Sequence, residues 1–427
     1  MAEPVSLLLN MSIRCFSTGS RALGLAFLIT ALAARKAQGQ SRVEYKYERY
    51  QEDNDRTKVE THGFWFESEL ASKFTIRGQY VHDALSGATP TGGPPPAGTN
   101  AVPLTRFQDI RNAGFLEGAF KAGRTTTTPQ VAYSEESDYR SLGLALTEAI
   151  DFNQKNTTLV LGISRNSDSL NGTYQRQYVY KNETSILLGI NQLLSPLTVL
   201  TANLTFGYQD GYLNDPYKGV NFTFSYPNPA FDPVDFDVNL GEKRPRHKFK
   251  QIGYLGFTQS FPKLNGSADL NYRLHHDDWG IWANTIGLEW NQKLGSRVML
   301  SPLFRYHRQT AADFYAVRFH GDPLLPDGGE YALQSDGVTV LFTGDEGFPG
   351  DGAAHSIPGH PNYFSSDYRL SALESFTVGA ALRVKLCEHA YLSLAYKRYM
   401  MRGLDGITPK GQYPSAHAFT IGLGMDF

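Results

Sequence analysis

HAFTIGLGMDF (residues 417–427) alternates without a break from Phe419 onward. Phe419, Ile421, Leu423, Met425 and Phe427 fall on one side of an extended chain, and Thr420, Gly422, Gly424 and Asp426 fall on the other. Successive side chains of a strand point to opposite faces, so the stretch reads as a two-faced strand. A chain end in water frays unless something ties it down. A strand with its apolar face in lipid and both edges hydrogen-bonded to neighbours meets that requirement, and the aromatic Phe427 with Met425 and Leu423 then fits the C-terminal signal read by the outer-membrane assembly machinery.

The same period recurs along the chain. FTVGAALRVKL (376–386) sets Phe376, Val378, Ala380, Leu382, Val384 and Leu386 against Thr377, Gly379, Ala381, Arg383 and Lys385. SADLNYRLHH (267–276) sets Ala268, Leu270, Tyr272 and Leu274 against Asp269, Asn271, Arg273 and His275. TVLTANLTFGYQ (198–209) and FTIRGQY (74–80) repeat the pattern, the latter with Arg77 on its polar side, and 107–121 and 126–134 also read as strands. Tight polar turns (72–73, 153–156, 194–196, 262–266, 294–296, 387–389) alternate with longer Pro/Gly-rich connections (86–103, 210–246, 309–368, 402–415). That asymmetry is the one seen in outer-membrane barrels. The spacing predicts an all-β chain forming a single antiparallel transmembrane barrel of about 16 strands, each near the ~9–11 residues a tilted span needs. An even count puts both ends of the sheet on the periplasmic side. Each unpaired backbone group costs several kcal/mol in hydrocarbon, so the last strand must pair with the first, SRVEYKYERYQ (41–51). A secreted β-sandwich also alternates, but strand length, lopsided loops and full charges on the polar face favour the barrel.

Hydrophobic residues make up 41% of the 427, with 24 Tyr and 26 Phe, and the net charge of −2 carries no footprint of nucleic-acid binding. Arg14 and Arg21 precede an apolar run from Ala22 to Ala34 that is followed by Ala37-Gln38-Gly39. This is the layout of a secretory signal peptide over 1–39, shorter than the ~20 residues of a spanning helix, and leaves a barrel domain over 40–427. Of the two cysteines, Cys15 falls in that leader, so Cys387 has no partner for an intramolecular disulfide.

No phosphate loop, dinucleotide fingerprint or nucleophile elbow occurs, and nothing calls for a cofactor. RLHHDDWG (273–280) joins His275, His276, Asp277 and Asp278 at a hairpin end on the outer rim. Acid and histidine groups placed so can activate a water, but the spacing identifies no partner pair and a solvated turn is the better reading. FTGDEGFPGDGAAHSIPGHPN (342–362) offers Asp345, Glu346, Asp351, His355 and His360, but their spacing matches no EF-hand. GEKRPRHKFK (241–250) concentrates Lys243, Arg244, Arg246, His247, Lys248 and Lys250, which fits lipopolysaccharide or an anionic solute and equally an ordinary charged rim. Opposite the lipid-type residues stand Arg77, Asp151, Asp269, Arg273, Arg383, Lys385, Lys397 and Asp426. Charges of both signs there imply a wet lumen or a paired network, and the loop 309–368 is long enough to fold inward.

Several stretches together carry a family likeness: HDALSGATP (82–90), YSEESDYRSLGLALTEAIDFNQKNTTLVLGISRNSD (133–168), RPRHKFKQIGYLGFTQSF (244–261) and DYRLSALESFTVGAALRVKL (367–386). The chain is similar to the bacterial domain-of-unknown-function 3570 family over essentially its whole length after the leader. The resemblance implies a barrel in the bacterial outer membrane, with uncharacterised activity. It also hints at a periplasmic redox partner, since members are encoded near flavin-transferase and thioredoxin-like proteins. It brings no catalytic residues. The expected role is a pore or conduit; the alternatives are a rim hydrolase or a barrel that binds a partner.

Overall fold

The computed structural model describes residues 40–427 apart from 97, 98, 100, 172–176, 227–233, 327–329, 334–339, 343–354 and 357–358. The expected leader and most of the loop 342–362, including Asp345, Glu346 and Asp351, lie outside the described residues. Sixteen antiparallel strands close into one barrel. They are β1 Ser41–Glu52, β2 Lys58–Ala71, β3 Phe74–Pro90, β4 Leu104–Ala122, β5 Thr125–Glu135, β6 Tyr139–Phe152, β7 Thr157–Leu170 and β8 Val179–Ser195. The ring continues with β9 Thr198–Gly211, β10 His247–Phe261, β11 Gly266–Asp277, β12 Trp282–Leu294, β13 Val298–Gln309, β14 Leu373–Cys387, β15 Ala390–Gly403 and β16 Ser415–Asp426. Among the described residues no helix is long and apolar enough to cross a membrane.

The seam of the ring is the pairing of β16 with β1. Met425 lies opposite Val43, Leu423 opposite Tyr45 and Ile421 opposite Tyr47. Beyond the strand, Phe427 N–H donates to the Ser41 carbonyl at 2.7 Å and Ser41 N–H to the Phe427 carbonyl at 3.2 Å. The final phenylalanine is therefore fixed by the first strand, and β15 covers the other edge of β16. The two glycines of the stretch have a packing cause. A Cβ on Gly424 would collide with the Tyr391 ring, and one on Gly422 would meet Ser393 Oγ at 2.6 Å.

Register distinguishes the faces. Leu142, Leu144 and Leu146 on β6, Ile186, Leu188 and Ile190 on β8, and Ile286 and Leu288 on β12 share the outward side and are exposed. At one rim Phe74 stacks on Phe120 with centroids 4.5 Å apart, and Phe261 meets Trp290 at 5.6 Å. At the other, His276 stacks on Trp282 at 3.9 Å. These paired rings form the interfacial belts expected of such a wall. Trp and Tyr near strand ends suit such belts by sequence, Trp65, Trp279, Tyr391 and Tyr399 among them, but the structure turns these four elsewhere. Trp65 lies opposite Glu44 and Tyr391 opposite Lys385, both on the polar inner face. Tyr399 lies opposite Thr377 on that same face, and Trp279 is buried among loop residues. Period two fixes which side a residue takes, whatever its type. Glu148 stays on the lipid side with Leu146 and Ile150. Its pairing with Thr127 and Leu161 is unbroken, so no bulge re-aims it, and it sits near the end of β6, where charge is tolerated.

Connections at one rim are two to four residues long (72–73, 123–124, 153–156, 196–197, 262–265, 295–297, 388–389). The expected turns at 194–196 and 387–389 shift by a residue or two, with Ser195 and Cys387 still in strand. The opposite rim carries 91–103, 171–178, 212–246, 310–372 and 404–414, together with three short turns. Two loop strands, Gly219–Tyr226 and Val234–Gly241, form a hairpin above the wall.

Ile421 is near the middle of β16 and faces outward, whereas Thr420 faces inward and donates to Glu48 at 2.8 Å. Ile421→Arg should lower the unfolding free energy in liposomes by ~2–4 kcal/mol, and Thr420→Arg by less than ~1 kcal/mol. Urea titration followed by gel mobility with and without boiling measures both.

Candidate functional site: the charged lumen and the loops across its mouth

The inner face can be traced from partner to partner. Asp426 lies opposite Arg42, Arg42 opposite Glu67, Glu67 opposite Arg77, and Arg77 opposite Glu117. The register places all eight charged candidates, Arg77, Asp151, Asp269, Arg273, Arg383, Lys385, Lys397 and Asp426, on this side, and brings together only some of them. Arg77 bridges Glu67 and Glu117, the latter at 3.2 Å, and Gln130 donates to Glu117 at 3.0 Å. The turn at 72–73 folds Arg77 back beside Glu67, a signal that was available in the sequence. Asp151 accepts from Thr158 at 2.8 Å, while Asp269 accepts from Thr258 at 2.6 Å and Asn291 at 2.8 Å. Lys250 pairs with Glu183, and Arg111 with Asp83.

The rim candidates do not converge. Adjacent residues of a strand diverge, so His275 points into the lumen while His276 stacks outside on Trp282. Asp277 is 1% exposed and saturated. One oxygen takes His275 Nε2 at 2.9 Å and Lys248 Nζ at 2.8 Å; the other takes the Trp279 and Ile281 N–H groups at 3.1 and 3.2 Å. Asp278 accepts from Phe249 N–H at 2.9 Å. Asp277 and Asp278 tie a tight turn to the neighbouring strand, whereas His275 braces Asp277 and His276 packs across the hairpin. The basic run 241–250 likewise turns inward in part: Lys248 and Lys250 are committed to Asp277 and Glu183, and Arg244 to the loops.

Those loops cross the long-loop mouth. The chain leaves β9 at Gly211, yet Gly219 N–H donates to the Thr91 carbonyl at 2.7 Å, Lys218 reaches the Pro90 carbonyl, and Tyr217 reaches Asp138. These contacts lie six and four strands round the ring, on the connections after β3 and β5. From the β13 side, Ala312 N–H donates to Leu370 and Asp313 N–H to Trp279. Ala312 and Leu370 then bury against Trp279, Ile281 and the inward side chain of Ala283. Tyr315 hydrogen-bonds Thr408 at 2.6 Å, and Arg56 donates to the Gly411 carbonyl at 2.8 Å. Val220, Phe222 and Phe364 form a second apolar knot.

Where the two long loops meet stands a charge cluster that the sequence did not advertise. Asp367, 1% exposed, accepts from Arg244 at 2.9 Å and from Arg369, which also reaches Asp215. Glu242 accepts from Ser365 at 2.5 Å and pairs with Arg244 at 2.7 Å. Burial works against ionisation of Asp367, but Arg369 and Arg244 outweigh it and hold the carboxyl well below the usual range. Burial dominates at Glu242 and raises its pKa despite Arg244. The segments that meet, at 215, 242–244 and 365–369, sit 27 to 154 residues apart, so no local motif could have revealed the cluster. Asp109, Glu136 and Asp138 also gather, their ligand atoms within 4.8 Å of one another. The oxygens of Asp109 already serve Ser137 and Ile110, and an oxygen of Asp138 serves Tyr217, as turn anchors.

Asp367→Asn strips the counter-charge from Arg244 and Arg369. Breaking a buried pair costs ~3–5 kcal/mol, so cleavage of the loops by protease should accelerate ~100-fold or more. Glu242→Gln keeps an acceptor for Ser365 and leaves Arg244 its Asp367 partner, so cleavage should change less than ~10-fold. Limited proteolysis of both variants in detergent tests the contrast.

Comparison with solved structures places the chain beside a CymD monoaromatic hydrocarbon channel (7% identity over 94% of this chain and 92% of that one, TM-score 0.39). It also resembles a bacterial polysaccharide outer membrane secretin (8%, 91% and 98%, TM-score 0.44) and OmpT of Vibrio cholerae (8%, 91% and 96%, TM-score 0.39). No curated protein matches the chain. The family model described as "Protein of unknown function (DUF3570)" matches residues 22–181 and 171–417, and the chain belongs to that family.

Proposed function

We propose that the protein is a conduit of the bacterial outer membrane, with its short turns in the periplasm, its long loops outside, and a hydrated, charged lumen crossed at the outer mouth by its own loops. One observation carries this reading: a closed sixteen-strand ring turns an apolar band outward and ionic side chains of both signs inward. Charges are too costly to desolvate singly, and barrels of sixteen to eighteen strands leave an aqueous channel unless something fills it. The loops joined at Asp367 supply a partial closure whose release sets conductance.

The test is conductance in planar bilayers. Wild-type protein should show small or infrequent openings, and Arg369→Ala, which unlinks Asp367 from Asp215, should raise the open probability or unit conductance several-fold. A folded, heat-modifiable barrel that stays electrically silent in both forms would overturn the conduit.

A further inference from the structure

The two sides of the lumen differ in how their charges are used. On β2 to β10 the inward cations are matched except Lys121 at the short-turn rim: Arg77 with Glu67 and Glu117, Arg111 with Asp83, Lys181 with Asp168, Lys250 with Glu183 and Lys248 with Asp277. On β11 to β15 the register lines up Arg273, Arg305, Lys397, Arg383, Lys385 and Lys293 on the inner face. Among the described residues none of these six forms an ion pair. The inward carboxylates of the same wall are Asp269, already hydrogen-bonded by Thr258 and Asn291, Asp277, already engaged by Lys248 and His275, and Glu289. Six cations therefore face three carboxylates, one of them paired with a lysine of the neighbouring strand.

The row ends at the short-turn rim in a recess of about 430 Å³ whose lining includes Lys293, Arg297, Arg383, Lys385 and Tyr391. Two acids, Glu388 and Asp426, also border it, and Asp426 is engaged by Arg42 at 3.6 Å. The recess is pre-organised. Arg383 lies over the Tyr391 ring, 4.6 Å from its centroid, and Arg42 donates to the Tyr391 hydroxyl at 2.6 Å. The absent side chain of Gly424 leaves room for that ring. Uncompensated cations in a concave wall focus potential and concentrate anions, and guanidinium groups take carboxylate or phosphate oxygens in pairs.

We propose that this recess is a binding seat for small multivalent anions, phosphate or carboxylate in chemistry, and that the basic wall above it makes the lumen anion-selective. The selectivity half rests on the conduit reading; the seat does not.

Titration calorimetry of the full-length protein in neutral detergent, with pyrophosphate as the probe, tests the seat. Binding should weaken at least tenfold in the K293Q/R297Q/R383Q/K385Q variant and fall with added salt. It should persist in R383K/K385R and in K121Q, a lysine at the same rim on the opposite wall. Heat-modifiable mobility checks that each variant is folded. In bilayers, Arg369→Ala under a tenfold KCl gradient should give a reversal potential of anion sign, moved toward zero in the quadruple background. Absent pyrophosphate binding, or equal binding in the quadruple variant, overturns the seat even if the barrel conducts. A cation-selective reversal potential overturns the basic wall. Binding by an electrically silent barrel keeps the seat and removes the conduit.

Discussion

A strand in hydrocarbon has no water to fall back on, and every backbone N–H and C=O must find a partner in the sheet. The pairing of β16 with β1 satisfies that demand for the last two edges, down to the Ser41–Phe427 hydrogen bonds. Closure then governs much else. It fixes one common parity of side chains around the ring, so a residue's neighbour on the next strand decides whether it meets lipid or water. It also explains Gly422 and Gly424, which leave room on the inner face for Ser393 and Tyr391.

The interior obeys a different economy. Ionic groups inside a wide barrel are stable where solvent or a partner reaches them. Over β2 to β10 partners do so, as in the Glu67–Arg77–Glu117 ladder. At the long-loop mouth residues 215, 242–244 and 365–369 bury Asp367 in a network of charged partners. Such a network adds little net stability compared with apolar packing. Its contribution is geometric: Arg244, Arg369 and Asp215 are matched through Asp367 across the two loops, beside the apolar knots at Trp279 and Phe222. Asp367 and Glu242 lie in one cluster yet are driven in opposite directions, because Asp367 has two guanidinium partners and Glu242 is governed by burial.

Much of the wall was legible from period-two alternation. The strands, the tight turns and the inward parity of Arg77, Arg383 and Lys397 all follow from counting, since a strand offers only two directions. Residue type was a poorer guide. Trp65, Tyr391 and Tyr399 read as belt residues, but parity turns them inward, where Arg42 and Arg383 lie over the Tyr391 ring. The rim set at 275–278 read as a cluster because its members are adjacent, and adjacency in a strand separates side chains: His275 and His276 face opposite ways.

By itself, then, the amino-acid sequence determined the barrel, its lipid face and the ionic character of its lining, because these rest on local periodicity and on the cost of bare backbone in lipid. Only the tertiary structure decided which charges are matched, which wall is left basic, and that the two long loops meet over the mouth. Those outcomes depend on contacts between residues far apart in the chain, such as Asp215 with Arg369. Loop geometry sets such contacts, and alternation carries no information about it.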